Sequence, residues 1–146
     1  ASGQIMIFDY GYDRLSFYHP RRSMGTLTAF HNHQTRNTML EIPGKMDLSA
    51  HVDFTAVAES AIEANLQVQG YFTQSEFLFS QDIVNFYHKR RDLCNSLAGA
   101  QLHGQLQTLL HPSQMGETIK VMLLSKIRET LPDSLKSIDR AYRLAS

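Results

Sequence analysis

The chain has 146 residues, the length of one domain rather than two. Apolar residues make 42% of it and charged residues 19%, a mix that buries a core and is not that of a disordered tail. Lys+Arg 14 cancels Asp+Glu 14, which argues against a domain that lives on nucleic acid or anionic lipid; the single cysteine, Cys94, excludes an internal disulfide and fits a reducing compartment; and no apolar run approaches the ~20 residues that span a bilayer.

Ile5-Met6-Ile7-Phe8 is a continuous apolar run closed by Asp9-Tyr10-Gly11. Such a run predicts a strand over Gln4 to Asp9, buried on both faces as in a parallel sheet. Residues 12–50 are rich in His, Arg, Asn, Thr and Gly and read as a long structured loop with one short extended piece, Thr26 to Phe30. A loop of that length in a compact domain covers or builds a site. Phe54, Val57, Ala58, Ala61 and Ile62 fall on one face of a helix, with Asp53 as its N-cap and Asn65 as its stop. Leu66 to Phe72 alternates like a strand. Thr73-Gln74-Ser75-Glu76 has capping-box spacing, so a helix is expected from there toward His88. A further helix fits Leu93 to Leu110, ended by Pro112, and Thr118 to Leu124 reads as a strand. Asp133-Ser134 can cap a last helix carrying Leu135, Ile138 and Tyr142 on one face.

Strands separated by helices predict an α/β domain. Three strands are few for a self-sufficient sheet, and the chain opens Ala-Ser-Gly before entering an apolar strand almost at once. The expectation is a piece of a longer protein, with an incomplete sheet edge at the first strand and association between copies through it.

Asp9 at the end of the first strand stands where open α/β sheets place ligands, beyond the carboxyl ends of their strands, and Gly11 permits a tight turn. His31-Asn32-His33, with Glu41, His51 and Asp53 downstream, has residue types that chelate metals, but the spacing matches no zinc motif, and hydrogen-bonded loop histidines read as well. His88-Lys89-Arg90-Arg91 reads as a solvated helix end that complements the dipole. Gly-rich dinucleotide, phosphate-loop and nucleophile-elbow motifs are all missing from the sequence.

Ile5 to Tyr12, Gly25 to His31, Pro43-Gly44, Asp47-Leu48-Ser49-Ala50-His51-Val52-Asp53-Phe54, Thr73-Gln74 with Phe77-Leu78, and Met115 to Val121 occur in unbroken order. Together they resemble the C-terminal half of the MidA-like, S-adenosylmethionine-dependent methyltransferases, bacterial and mitochondrial. The resemblance implies a partial class I (Rossmann-like) α/β sheet. Gln4 to Asp9 is its fifth strand, Val52 to Ala64 the helix after it, and the last two strands follow, the final one antiparallel. Residues 1–146 are then the C-terminal part of one methyltransferase domain, with 132–146 an additional helix. The cofactor implied is S-adenosylmethionine, although the family's Gly-rich loop and ribose-holding acid belong to its other half. The reaction implied is methyl transfer to an arginine of a protein, in the mitochondrial member a respiratory complex I subunit. The expected location is the bacterial cytoplasm or the mitochondrial matrix, without membrane insertion or nucleic acid. Catalytic candidates by this resemblance are Asp9, holding the guanidinium, Tyr10, walling the pocket, His31 and Asp53. Substrate-binding candidates are Gly11, Asp47 and His51. Two other classes compete: a non-enzymatic assembly or docking module of the same fold, and a metal-dependent hydrolase using His31, His33, His51 and Asp53.

Overall fold

The computed structural model describes residues 3–31, 34–36, 38, 42–92, 94–127 and 130–145. Its main sheet has four strands in the order β5-β1-β7-β6: β1 (Gln4–Tyr12), β5 (Val52–Asp53), β6 (Gln67–Thr73) and β7 (Ile119–Ser125). β7 runs antiparallel to both β1 and β6, and β5 runs parallel to the end of β1. Phe8 pairs with Val121 and Met6 with Leu123, so the first apolar run and the last lie side by side as the sequence implies.

Alternation divides the sheet into two faces. On one, Tyr71, Met122 and Leu124 meet Phe54, Ala58 and Ala61 of α2 (Phe54–Glu63), with Leu144 closing the layer. On the other, Phe72 and Val121 meet Phe77 of α3 (Gln74–Ser80) and Leu135 of α6 (Asp133–Lys136). Asp53 caps α2, its Oδ1 accepting from the Ala56 amide at 3.1 Å, and Asn65 ends it in the left-handed conformation, φ 57°. Thr73 and Glu76 form the expected reciprocal capping box of α3.

Several expectations are corrected. β1 does not stop at Asp9; it runs on to Tyr12 because β5 gives Gly11 and Tyr12 a parallel partner. Val52 and Asp53 are accordingly strand, and the helix begins at Phe54. Nor is the apolar run buried on both faces: Ile5, Met6 and Phe8 are 47%, 52% and 45% exposed. From Ile5 to Tyr10 the edge of β1 away from β7 pairs with no strand among the described residues. The opposite edge of the sheet is capped at Tyr71 of β6. The Asp139 carboxylate accepts the Tyr71 amide at 2.9 Å and the Arg140 amide donates to the Tyr71 carbonyl at 2.8 Å.

The 12–50 segment is more ordered than a loop. α1 (Arg14–Phe17) and a single tight helical turn, Pro20–Arg22, lead into a second, antiparallel sheet of β2 (Thr28–His31), β3 (Gln34–Arg36) and β4 (Asp47–Ser49), in the order β3-β2-β4. The helix expected to reach His88 breaks at Gln81–Asp82, where Asp82 takes φ 59°, and α4 (Ile83–Arg91) starts anew. α5 (Ser96–Leu110) ends before Pro112, and a wide turn, Pro112–Gly116, hands the chain to β7. In place of one C-terminal helix there are α6 and a separate turn, Ala141–Leu144, which leaves Tyr142 75% exposed while Leu135 and Leu144 are buried. Among the described residues no helix is long and apolar enough to cross a membrane.

Candidate functional site

The carboxyl end of β1 opens into a pocket of about 410 Å³ between the main sheet and the small one. Tyr10 supplies its floor. Thr26, Thr28 and Phe30 come from β2 and its approach, Ser49, Ala50 and His51 from β4 and its exit, and Gln114 and Thr118 from the turn before β7. Strand alternation explains the set. Thr28 and Phe30 share one face of β2, and Ser49 lies opposite Thr28 in the register. Ala29, on the other face, is fully buried.

His51 is held in an aromatic column. Its ring stacks on Tyr12 at 5.1 Å and 29°, and Tyr10 meets it edge-on at 6.2 Å and 88°. Its main-chain amide donates to Thr26 Oγ1 at 3.3 Å. The Arg22 guanidinium lies over the Tyr12 ring at 3.9 Å, and Lys120 Nζ lies 5.9 Å from that ring.

Beneath the site is a polar layer that binds the C-terminal segment to the sheet. Arg140 reaches Glu76 at 2.7 Å and Glu117 at 3.1 Å, and Arg143 reaches buried Asp13 at 3.2 Å. Burial works against the Glu76 charge, but hydrogen bonds from Arg140 and Thr73 outweigh it and hold the carboxyl below the usual carboxylate range. Burial pulls the Lys120 amine down, partly offset by Glu117, whose main-chain carbonyl accepts from Nζ. The Tyr71 hydroxyl is buried with no hydrogen-bond partner among the described residues; burial first, and the Asp13 charge second, push its ionisation up.

A family model described as "Putative S-adenosyl-L-methionine-dependent methyltransferase" matches residues 1–72. Among solved structures, a COG1565 superfamily member from Burkholderia thailandensis bound to S-adenosyl-homocysteine is similar at 29% identity with a TM-score of 0.83, covering 96% of this chain and 36% of that one. A native crystal structure of a COG1565 superfamily protein, also from Burkholderia thailandensis, is similar at 29% identity with a TM-score of 0.84, covering 97% and 38%. In sequence and fold the chain is similar to S-adenosylmethionine-dependent methyltransferases of the COG1565 superfamily. No curated protein matches it. The chain spans just over a third of the length of the two superfamily structures. Its fold is the mixed α/β, Rossmann-like sheet with flanking helices of a class I methyltransferase.

Within this fold the sequence-derived candidates separate. Tyr10 and His51 line the pocket together. Asp9 is not among the lining residues. It stands three residues inside β1, on the opposite face from Tyr10, and its Oδ1 accepts the Tyr10 amide at 2.7 Å. Gly11 makes no tight turn; it is a strand residue against which Val52 and Phe54 pack too closely for any side chain. Asp53 is engaged as a cap, with its other oxygen 3.5 Å from Arg14 Nε. The His31 ring bonds the Lys45 carbonyl at 2.7 Å, on the face of β2 opposite Phe30. Asp47 is exposed on β4, across from Phe30. His33 and Glu41 lie outside the described residues. Among the described residues no three His, Cys, Asp or Glu side chains converge as a metal site, so the metal-hydrolase constellation is not assembled by His31, His51 and Asp53.

Thr26, Thr28, Phe30, Ser49, Gln114 and Thr118 are the lining residues that sequence reasoning did not single out. The period-two spacing of Thr26, Thr28 and Phe30 was the available signal.

Proposed function

We propose that this chain forms the acceptor side of a methyltransferase that uses S-adenosylmethionine to methylate an arginine side chain of a protein. The observation that carries the reading is the pocket at the carboxyl end of β1, where Tyr10, Phe30 and His51 surround a space fringed with hydroxyls. A guanidinium is flat, cationic and weakly hydrated, and it stacks on aromatic faces while its edge donates to oxygens. Thr26, Thr28, Ser49 and Thr118 offer those oxygens.

S-adenosylmethionine supplies, when bound, a methyl group on a positively charged sulfur. The residues here fit that end of the molecule. Tyr10 and Phe30 put aromatic rings on the pocket wall, a surface that suits a cation, whereas among the described lining residues there is no carboxylate for a ribose diol. The work of this chain is to seat the acceptor, keep its flat group aligned and exclude water. Asp9, through the Tyr10 amide, sets the position of Tyr10 rather than touching the acceptor. In a mitochondrial setting the acceptor protein is a respiratory complex I subunit, and the location the matrix; in bacteria it is the cytoplasm.

The test is to incubate the full-length protein with methyl-labelled S-adenosylmethionine and matched peptides bearing arginine, lysine or neither. Label confined to arginine, and reduced about tenfold or more by Tyr10→Ala, supports the reading. Label on lysine or a carboxylate, or none on any peptide or complex I subunit, overturns it.

A further inference from the structure

We infer that His51 is the proton acceptor of this pocket, the group that receives the proton an acceptor nitrogen must shed when it is alkylated. The inference rests on the proposed function. A guanidinium that gains a methyl from a sulfonium forms one N–C bond. The C–S bond breaks with its electron pair going to sulfur, leaving a neutral thioether. The guanidinium keeps its single positive charge only if one N–H proton departs. Something in the pocket must take that proton.

Among the described residues that line the pocket only His51 and Tyr10 are ionisable. Phenols are ordinarily protonated near neutrality, and a protonated phenol gives a proton rather than taking one. An imidazole can offer an unshared pair on one nitrogen and a proton on the other. The structure leaves both nitrogens of His51 available: neither is hydrogen-bonded to any described residue. The other histidines nearby in sequence or type are engaged. His19 accepts from the Arg21 amide, His31 bonds the Lys45 carbonyl, and His111 bonds Ser113.

The ring is nevertheless fixed, stacked on Tyr12 and flanked edge-on by Tyr10, with its main chain tied to Thr26. A fixed ring with free nitrogens is the arrangement a general base needs. The charged groups facing this column are Arg22 and Lys120, both against Tyr12, and among the described residues no carboxylate lines the pocket.

The test uses the full-length protein with an arginine-containing peptide. In the wild type, the peptide is expected to move the His51 imidazole resonances in NMR spectra, before any turnover. His51→Phe keeps the stack on Tyr12 and is expected to hold melting temperature and peptide affinity close to wild type. Its methyl transfer should fall by about 10²-fold or more, with loss of the acidic limb of the pH–rate profile. In His51→Ala, added imidazole should restore part of the rate. Wild-type turnover in His51→Phe with an unchanged pH profile overturns the inference and leaves the functional reading standing. A wild type that methylates no arginine peptide overturns the functional reading, and this inference with it.

Discussion

Gly11→Ala tests whether the end of β1 is shaped by close packing. A Cβ at position 11 would sit 2.6 and 2.8 Å from two ring carbons of Phe54, and closer still to the Val52 carbonyl oxygen. Ordinary carbon contacts begin near 3.5 Å, so the two sides must part by about 1 Å. Phe54 is fully buried and cannot swing away, and Val52 is main chain in register with Gly11. Overpacking of this kind costs about 1–3 kcal/mol, here toward the upper end, and parting β5 from β1 forfeits about 1 kcal/mol of hydrogen bonding. A loss of ~3–4 kcal/mol lowers the melting temperature of a domain this size by roughly 10 °C. Because β5 follows His51 directly, the shift reaches the pocket, and His51 should lose its stacked position against Tyr12. Thermal unfolding by circular dichroism reads the first effect and aromatic NMR contacts the second. A variant melting within about 2 °C of wild type refutes the packing argument and returns Gly11 to the list of residues kept for substrate.

Tyr71→Phe should raise stability by about 1 kcal/mol in denaturant unfolding, because the hydroxyl it deletes is buried without a partner; a loss of stability would reveal a partner for that oxygen. Glu76→Gln keeps an N3 residue suited to the capping box but removes the charge bound to Arg140. The Glu76 carboxyl is depressed in the folded state, so its contribution is complete above the unfolded carboxyl range, near pH 4.5, and is lost as pH falls through the folded value. Melting curves of the two proteins should therefore differ at pH 7 and converge on acidification; a gap that persists at pH 2–3 refutes the assignment.

What could be read from the sequence was what short-range chemistry fixes. Asp53 and the Thr73–Glu76 pair announce helix starts by their spacing alone, and both caps form. The pairing of Phe8 with Val121 follows from two apolar runs with one sheet to share. The small sheet was not legible, because β2 and β4 are short and joined across fifteen residues, so their pairing depends on tertiary context. Asp82 interrupts a pattern whose apolar period runs on through it, and nothing local marks the break. Tyr142 kept the helical period of Leu135 and Ile138, but the chain leaves the helix at Lys136 so that Arg140 can reach the Tyr71 carbonyl. The pocket drew Tyr10 and His51 from the legible set because both flank strand ends. Asp9 was expected to end the strand; the strand runs on to Tyr12, and alternation puts Asp9 on the face opposite Tyr10.

The two margins of the main sheet are unlike, and this sets how the described domain could assemble. Along β6 the backbone groups of Tyr71 are already taken by Asp139 and Arg140, and a bulge between Val68 and Gly70 distorts the ladder beside them. Along β1 the groups from Ile5 to Tyr10 face outward between half-exposed apolar side chains. A sheet with two open margins can polymerise without limit, whereas one with a single open margin is monovalent. Whatever strand joins β1, whether from the same polypeptide or from a second copy, takes up the open margin of the main sheet among the described residues, and growth through that sheet stops there. The C-terminal turn thus acts as a chain terminator, and removing Asp139 and Arg140 would turn a self-limiting edge contact into an open-ended one.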